Sequence, residues 1–454
     1  METDVDLGRR VKLSNTIRSV FLNLLLSKRS RRMQRSYFEL RRRLGRKGHV
    51  VSVFLQLDDP YSYLLSRYLP ELASGYNIEL SVYLSQARGD EYQPAPDMAP
   101  EYAARDARRI ASELGIPFLD KGAAPPVEHR RGLLDVLAAR SEQDDFADEL
   151  FAVLEIYWRG DTEAAARRSD TGESGQANEA IARSQQLQER LGHYNSGMLH
   201  YGGEWYWGVD RLHYLTDRLG EMGLAREGAK TAHLASIRQV MQLSLPVTPP
   251  AAARQLPPLE LFHSFRSPYS YLSLQRVYKI ADAFGLELRL RPVLPMVMRG
   301  MRVPRPKLLY IAKDTVREAE RLEIPYGKIA DPVGAGAERC LAVFRYAESE
   351  RKGRDFLANA GAAIWSEAVD VSTDKGMRKV TGRTGLFWPD VVAAMESDEW
   401  RTEIEGNRES MMASGSWGVP TIRLGEEVFW GQDRDWLLAR HIEELCDTGD
   451  GILV

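Results

Sequence analysis

The sequence predicts an α/β protein of two tandem domains, each of which opens with a β-α-β unit and closes with a β-hairpin and a helix. The first observation is a repeated turn, because residues 57–64 and 265–272 both contain Pro-Tyr-Ser-Tyr-Leu after an apolar run. The second is a constant offset of 208 residues, as from 102 to 310, at four further positions. It places Tyr102, Asp106, Arg109 and Pro117 opposite Tyr310, Asp314, Arg317 and Pro325. The chain is therefore predicted to be a tandem duplication.

The composition is typical of a globular protein with two cores. Of the 454 residues, 44% are apolar and 28% are charged, and the formal net charge of −3 gives no overall attraction to nucleic acid. The two cysteines, Cys340 and Cys446, form no C-x-x-C pair, which argues against a disulfide framework or a dithiol redox centre. No histidine or cysteine cluster has the spacing of a metal site. We expect a cytoplasmic protein without a metal.

Residues 1–47 are predicted to form a basic N-terminal helical extension. Between residues 28 and 47 there are ten Lys or Arg residues and one acid, Glu39. Two interpretations stay open, a solvated helix that packs its apolar side on the body and a segment that contacts anionic lipid or nucleic acid. The apolar stretch 20–26 is too short to cross a bilayer, so we expect no membrane span.

The β-α-β units are read from short apolar runs and from proline. Runs at 48–55 and 259–265 predict buried strands, and each leads into a helix opened by a proline, where the missing N–H costs little. Second strands follow at 78–84 and 286–293. Long helical regions are then predicted at 99–190 and 307–413 from the spacing of their apolar residues.

The ends of the two copies also match. Apolar runs around Gly202-Gly203-Glu204 and around Gly425-Glu426-Glu427 predict β-hairpins, and 433–446 predicts a closing helix. Prolines concentrate at 246–258, which predicts a linker between a domain at 48–245 and a domain at 259–454.

Ser267 is the residue of the repeated turn with the clearest chemical potential. It stands just before the first turn of a helix, where unpaired N–H groups and the helix dipole favour an anion. A hydroxyl at this point can help to stabilise a bound thiolate or carboxylate. It can equally be a helix N-cap, which contributes about 1 kcal/mol of helix stability.

Three motifs in order give the second copy a family resemblance. Ser-Pro-Tyr-Ser-Tyr-Leu at 267–272, Gly-Val-Pro-Thr at 418–421 and Phe-Trp-Gly-Gln-Asp-Arg at 429–434 resemble the DsbA-like superfamily. Within it they resemble the 2-hydroxychromene-2-carboxylate isomerases and the kappa-class glutathione transferases. The resemblance covers 259–446 and implies a thioredoxin-like fold with an all-helical insertion in each domain. It also implies glutathione as cofactor, with Ser267 as the group that stabilises its thiolate.

Further site residues follow from the resemblance. Val419 and Pro420 match the cis-proline loop that pairs with the cysteinyl part of glutathione, although an ordinary trans proline is the alternative. Gln432 and Asp433 match the site for the γ-glutamyl end, where Asp433 could also simply cap the helix. Lys307 resembles a lysine near the glutathione pocket, and a solvated surface lysine is its alternative.

This chain departs from the family motif at one place, and its two repeats carry different residues at several site positions. The asparagine of many relatives is replaced by Arg-Gly-Met-Arg at 299–302, which puts the isomerase substrate of the family in doubt. The repeat places Asp59 opposite Ser267, Ser196 and Gly197 opposite Val419 and Pro420, and Ala99 opposite Lys307. A carboxylate at the thiolate position would repel an anion, so the first copy is predicted to be a degenerate scaffold domain. The alternative is a different acid site formed by Asp58 and Asp59.

The sequence therefore favours a glutathione-dependent isomerase or transferase that acts on a small hydrophobic conjugated compound. A non-catalytic binding or assembly protein is the first rival, with the basic extension as its docking segment. A thiol-disulfide oxidoreductase is disfavoured because neither cysteine lies in the turn that opens the helix. We expect no nucleic-acid partner, and a homodimer remains open.

Overall fold

The computed structural model describes residues 23–24, 26–86, 92, 94–118, 127–141, 143–169, 177–301 and 303–448. Arg302, most of the predicted extension before residue 28 and parts of the helical region 99–190 lie outside the described residues. The contacts divide the chain into two units. The first unit consists of Met33–Gln242 and Pro304–Tyr310, and the second contains Leu243–Val303, Ile311–Val454 and the residues before Met33.

The first unit is built on a four-stranded mixed sheet in the order β2-β1-β3-β4. The strands are β1 (Val50–Leu55), β2 (Glu79–Leu84), β3 (Met198–Tyr201) and β4 (Glu204–Trp207). Strand β1 pairs in parallel with β2 and antiparallel with β3, and β3 forms a hairpin with β4. The predicted β-α-β opening and closing hairpin are both present.

The second unit repeats this sheet in the order β6-β5-β7-β8. Its strands are β5 (Leu259–His263), β6 (Leu288–Pro292), β7 (Thr421–Leu424) and β8 (Glu427–Trp430). The pairing is again parallel for β5 with β6 and antiparallel for the other two pairs. Two mixed α/β sheets of the same order, each interrupted by helices, confirm the predicted fold class.

Helices fill the intervals that the periodicity indicated. Up to residue 242 the α-helices span Lys28–Leu44, Pro60–Ser66, Leu69–Gly75, Ala99–Leu114, Val127–Ala139, Phe146–Trp158, Thr162–Ser169, Ala177–Arg190, Leu212–Glu221 and Ala232–Val240. Beyond it they span Pro268–Phe284, Arg305–Arg321, Ala335–Ser349, Gly353–Ser366, Asp374–Thr384, Trp388–Glu396, Trp400–Ala413 and Asp435–Thr448. Short 3₁₀ turns occupy Val209–Arg211, Ala251–Gln255 and Met296–Arg299. Among the described residues, no helix is long and apolar enough to cross a membrane.

The helix that follows the repeated turn differs between the units. In the second unit it is continuous over Pro268–Phe284, whereas in the first it is divided into Pro60–Ser66 and Leu69–Gly75. Pro70 accounts for the break, because a proline ring clashes with the carbonyl four residues earlier and supplies no N–H. The turn itself is unaffected, since the break comes after it.

The helical insertion of the second unit fixes the turn that carries Ser267. The buried Trp365 donates its indole Nε1–H to the carbonyl of Phe265 (3.2 Å), and the Tyr269 hydroxyl donates to Asp314 Oδ2 (2.8 Å). The equivalent bonds in the first unit join Trp158 to Leu57 (2.9 Å) and Tyr61 to Asp106 (2.7 Å). Both Trp158 and Trp365 belong to the buried core.

Asp314 is the buried anchor of this arrangement. It is 1% exposed and accepts from the Tyr269 hydroxyl and from Arg317 Nη2 (2.7 Å). Replacement by alanine leaves the buried Arg317 without this carboxylate, so we expect Asp314→Ala to lower the free energy of unfolding by about 3 kcal/mol. Tyr269→Phe removes one hydrogen bond and should cost about 1 kcal/mol. Urea unfolding followed by tryptophan fluorescence measures both changes.

Asp331→Ala is the matched control, because it removes a carboxylate that forms an exposed bidentate pair with Arg266 (2.8 and 2.9 Å). An exposed pair contributes less than about 1 kcal/mol. Equal destabilisation by Asp314→Ala and Asp331→Ala would contradict the anchoring role of Asp314.

Candidate functional site

Ser267 lies at the N-terminus of the helix Pro268–Phe284 and caps it. Its backbone is extended, and its Oγ accepts from the N–H of Ser270 (3.1 Å). The hydroxyl proton is directed to the carbonyl oxygen of Val419 (3.3 Å). The side chain is half-buried at the positive end of the helix dipole, which favours an anion. Ser267 is therefore the N-cap of this helix, and its hydroxyl proton takes part in one long hydrogen bond.

The loop before β7 meets Ser267 through Val419. The Val419–Pro420 peptide bond is cis, which confirms the prediction for this bond. Pro420 accepts from the N–H of Gly431 (3.0 Å), which joins the loop to the segment that follows β8. Among the described residues, the N–H of Val419 has no hydrogen-bond partner. The loop thus offers a free donor beside the hydroxyl of Ser267.

Two tryptophans lie against this loop. The rings of Trp417 and Trp430 have centroids 4.6 Å apart, and Trp430 is half-buried. A Cβ on Gly418 would lie 2.7 Å from Nε1 of Trp430, so glycine is needed for the loop to approach this ring. Thr421 Oγ1 donates to the Gly418 carbonyl (2.7 Å) and fixes the loop from the other side. The half-buried ring of Trp430 therefore borders the loop that contacts Ser267.

Gln432 and Asp433 follow β8, just before the last helix. Gln432 is 2% exposed and donates from Nε2 to Glu318 Oε2 (2.7 Å), while its buried Oε1 has no partner among the described residues. Asp433 is half-buried, and its Oδ1 lies 3.5 Å from Arg434 Nη1. Gly431 adopts φ +118°, and a Cβ there would lie 2.6 Å from Oδ1 of Asp433. Asp433 therefore retains accessible carboxylate surface, whereas Gln432 acts mainly within the protein.

Lys307 forms its hydrogen bond within the first unit. It groups with the first unit, and its Nζ donates to the carbonyl of Tyr92 (3.2 Å). Burial lowers the pKa of the Lys307 ammonium below its ordinary value. The lysine is thus neither a freely solvated surface residue nor bonded to Ser267, Val419 or Asp433.

Three further charged or titratable groups lie in these segments, and no sequence motif predicted them as site residues. Arg299 donates to the carbonyl of Trp417 (3.4 Å), its Nε is buried without a partner among the described residues, and burial lowers its pKa to about 10. Asp435 is 2% exposed beside Arg276, and burial raises its pKa to about 6. His263 at the end of β5 is also buried, which lowers its pKa to about 3. The sequence pointed to Arg299 only through the departure of residues 299–302 from the family resemblance.

In the turn of the first unit, the carboxylate of Asp59 occupies the helix N-terminus. Asp59 caps the helix Pro60–Ser66, and its Oδ2 accepts from the Ser62 N–H (3.1 Å), the Ser62 hydroxyl (2.6 Å) and the Ser196 hydroxyl (3.2 Å). Gly197 takes the place of Pro420, with φ +64° and a carbonyl that accepts from Gly208 N–H (2.7 Å). The helix N-terminus is therefore satisfied by a carboxylate from within the chain.

Asp58 is also committed to internal partners. It forms an ion pair with Arg130 (2.9 Å) and accepts from Gln56 Nε2 (2.8 Å). These bonds leave the pair Asp58 and Asp59 in two separate environments rather than one shared acid site. The hypothesis of a separate acid site has no further support in the contacts of these two residues.

Neither cysteine is placed for redox chemistry at the turn. Cys340 lies buried in the helix Ala335–Ser349, and burial raises the pKa of its thiol. Cys446 lies in the last helix, and its thiol pKa is also raised, mainly by burial. A reactive cysteine needs the opposite shift. Among the described residues, no group of three or more His, Cys, Asp or Glu side chains is arranged to hold a metal ion.

The class of domain that this fold and site define is the DSBA-like thioredoxin domain. Its family model matches residues 258–443, which contain Ser267, the cis-proline loop and Asp433. Residues 258–443 are therefore a DSBA-like thioredoxin domain.

The particular relatives are 2-hydroxychromene-2-carboxylate isomerases. The enzyme of Pseudomonas putida is 24% identical over 196 residues, which are 41% of this chain and 95% of the relative. The enzyme of Sphingobium xenophagum is 23% identical over 184 residues, which are 39% of this chain and 93% of the relative.

Solved structures give similar matches. A 2-hydroxychromene-2-carboxylate isomerase structure matches with 23% identity and a TM-score of 0.38, over 43% of this chain and 99% of that chain. The cytosolic disulfide reductase DsbM of Pseudomonas aeruginosa matches with 18% identity and a TM-score of 0.33, over 42% of this chain and all of that chain.

The capping role of Ser267 can be separated from any role in binding. Ser267→Ala removes the acceptor of the Ser270 N–H, so we expect the free energy of unfolding to fall by about 1 kcal/mol. Ser267→Asp should retain the cap, because Asp59 caps the same turn in the first unit. Urea unfolding distinguishes the variants, and equal loss of stability in both would contradict this account of the cap.

Asp59 should give the stability a distinct pH dependence. Burial raises its pKa to about 6, whereas the ordinary value is about 3.9. The folded state holds the proton more tightly, so its contribution is complete below about pH 4 and is lost as the pH rises through about 6.

Asp59→Asn keeps a good N-cap residue and removes this titration. We expect the stability of the variant relative to the natural protein to rise by about 1 to 3 kcal/mol between pH 4 and pH 7. The measurement is urea unfolding at each pH. Parallel pH profiles for the two proteins would show that Asp59 ionises normally.

Proposed function

We propose that the second unit binds glutathione and catalyses a glutathione-dependent isomerisation or transfer on a small hydrophobic, conjugated compound. The observation that carries this proposal is the juxtaposition of Ser267 with the Val419–Pro420 loop. A hydroxyl at a helix N-terminus lies beside a backbone N–H that has no partner among the described residues. The similarity of part of the chain to 2-hydroxychromene-2-carboxylate isomerases, at 24% identity, supports the proposal.

Val419, Asp433 and Ser267 each suit a different part of glutathione. The free N–H of Val419 suits a peptide carbonyl that pairs as an added strand. The partly accessible carboxylate of Asp433 suits the ammonium of the γ-glutamyl end. Ser267 and the helix dipole suit the sulfur between them. Lys307 does not support this assignment, because its ammonium is bonded to Tyr92 in the first unit.

When bound, glutathione supplies a thiol that can add reversibly to a conjugated double bond. Ser267 holds the proton that matters for this chemistry, and it can donate that proton to an anionic atom in place of the Val419 carbonyl at 3.3 Å. A hydrogen bond of this kind favours the charged form of its acceptor and so lowers the pKa of a thiol. Ser267 acts as a thiolate stabiliser, without covalent attachment.

The hydrophobic substrate would bind beside the loop that contains Val419, against the ring of Trp430. Trp430 is half-buried and lies against Gly418, next to Val419, whereas Trp417 is buried with its ring centroid 4.6 Å from that of Trp430. The guanidinium of Arg299, bonded to the Trp417 carbonyl at 3.4 Å, lies where a polar group of a planar substrate could meet it. Arg299 belongs to the segment 299–302, which stands where the family resemblance implies an asparagine.

We further propose that the first unit is a duplicated copy that has kept the fold and lost the site. Its Asp59 carboxylate already occupies the helix N-terminus and is bonded by the Ser62 and Ser196 hydroxyls. A second anion there would meet like charge, which raises a thiol pKa. A reducing cytoplasm is the compartment that suits a thiol cofactor, and we place the activity there.

The test is calorimetric titration of glutathione into the full-length protein and its variants. We expect binding by the natural protein, a loss of about 10- to 100-fold in affinity for Ser267→Ala, and no detectable binding for Ser267→Asp. Asp433→Ala should weaken binding by removing the partner of the ligand ammonium. Conversion of conjugated aromatic acids would then be screened with and without glutathione.

Two controls make the result specific. Asp59→Asn changes the equivalent turn of the first unit and should leave glutathione affinity unchanged. S-methylglutathione lacks the ionisable thiol, so its affinity should differ little between the natural protein and Ser267→Ala. The absence of any heat at millimolar glutathione would refute the proposal, and stoichiometry of two with sensitivity to Asp59 would refute the scaffold role of the first unit.

A further inference from the structure

From Met33 onward the basic helix Lys28–Leu44 belongs to the first unit, and one face of this part is fixed there. Arg35 forms a bidentate pair with Glu204 at the start of β4 (2.8 and 3.0 Å). The Phe38 ring lies so close to Gly203 that a Cβ on this glycine would overlap it. The β3–β4 hairpin therefore sets the orientation of the helix.

An apolar stripe runs along another face of this helix. Met33, Tyr37, Leu40 and Leu44 are 64%, 54%, 56% and 76% exposed. Their spacing of four, three and four residues places them on a single line along an α-helix. Four large apolar side chains in one exposed line form a continuous patch rather than the scattered exposure that is ordinary at protein surfaces.

Positive charge surrounds the stripe. The exposed cations of the helix and the residues that follow it are Lys28, Arg29, Arg32, Arg41, Arg43, Arg46 and Lys47. The acid of this segment, Glu39, accepts from Arg42 (2.7 and 2.9 Å) and from Arg43 (2.7 Å), so its charge is neutralised locally. A strongly positive surface thus stands on a chain whose formal net charge is −3.

We infer that this face of the helix, the apolar stripe with its cationic rim, binds the surface of an anionic lipid bilayer. Apolar side chains at the centre suit the boundary of the acyl chains, and arginine and lysine at the rim suit acidic headgroups. Long basic side chains can extend to the headgroups while their stems cover the apolar surface. The helix would lie in the plane of the interface and hold the protein at the membrane without spanning it.

The same features disfavour two other occupants. A nucleic acid would use the cations but would leave Met33, Tyr37, Leu40 and Leu44 without an apolar partner. A second copy packed along the stripe would bring two rows of arginines together, and like charges at short range oppose association. Charge complementarity together with the apolar stripe therefore favours anionic lipid.

The experiment is co-sedimentation of the full-length protein with vesicles of phosphatidylcholine alone or of phosphatidylcholine with about a quarter phosphatidylglycerol. We expect binding to the acidic vesicles only. Tyr37→Ser with Leu40→Ser should lower the partition coefficient at least about tenfold. Arg29→Gln, Arg32→Gln and Arg41→Gln together should lower it about 100-fold at low salt.

Val247→Ser with Phe387→Ser is the matched control, since both residues are large, apolar and exposed (103% and 64%) and lie outside this helix. This variant should bind acidic vesicles as the natural protein does, and all variants should keep the thermal unfolding midpoint. Failure to bind acidic vesicles, or equal binding after loss of Tyr37 and Leu40, would overturn the inference. So would binding to duplex DNA or RNA without vesicle binding, or a dimer mass that the same double variant abolishes.

Discussion

The site of each unit depends on the anchoring of one turn by the inserted helices. In the second unit the indole of Trp365 holds the Phe265 carbonyl, and the Tyr269 hydroxyl is bonded to Asp314, a buried carboxylate that Arg317 neutralises. Trp158 makes the equivalent bond in the first unit. These bonds fix the backbone just before a helix N-terminus, where orientation decides what an anion meets. The insertion is thus part of the site, although none of its anchoring groups bonds to Ser267.

A single side chain then decides whether this fixed N-terminus is closed or open to a ligand. Asp59 brings its own charge and gathers the N–H and hydroxyl of Ser62 around it. Ser267 brings no charge and satisfies the cap through the Ser270 N–H alone, with its proton on Val419. The same backbone can therefore carry a self-satisfied anion in one copy and accept an external one in the other. Under the proposed function, this contrast would let the second unit bind an external anion while the first unit keeps the same sheet without binding one.

The basic helix adds a second level of organisation through charge. Its arginines have different partners, because Arg35 is bonded to Glu204, Arg31 to Glu320, and Arg42 and Arg43 to Glu39. Arg29, Arg32 and Arg41 are exposed. The side chains that hold the helix to the hairpin and those that surround the apolar stripe are therefore different. A hydrophobic substrate partitions into lipid, so a helix that holds the protein at a bilayer surface would place the proposed enzyme close to its substrate.

The sequence by itself determined the strands, the proline-opened helices and the hairpins, because each depends on local periodicity or on the fixed φ of proline. It located Ser267 at a helix N-terminus, whereas the cis bond before Pro420 was an implication of the family resemblance that the structure then confirmed. The tertiary structure alone decided that the Ser267 hydroxyl points to Val419, that Lys307 bonds to Tyr92, and that Arg299 and Asp435 are desolvated. The physical reason is that burial and hydrogen-bond partners come from residues distant in the chain, whose approach no local pattern records.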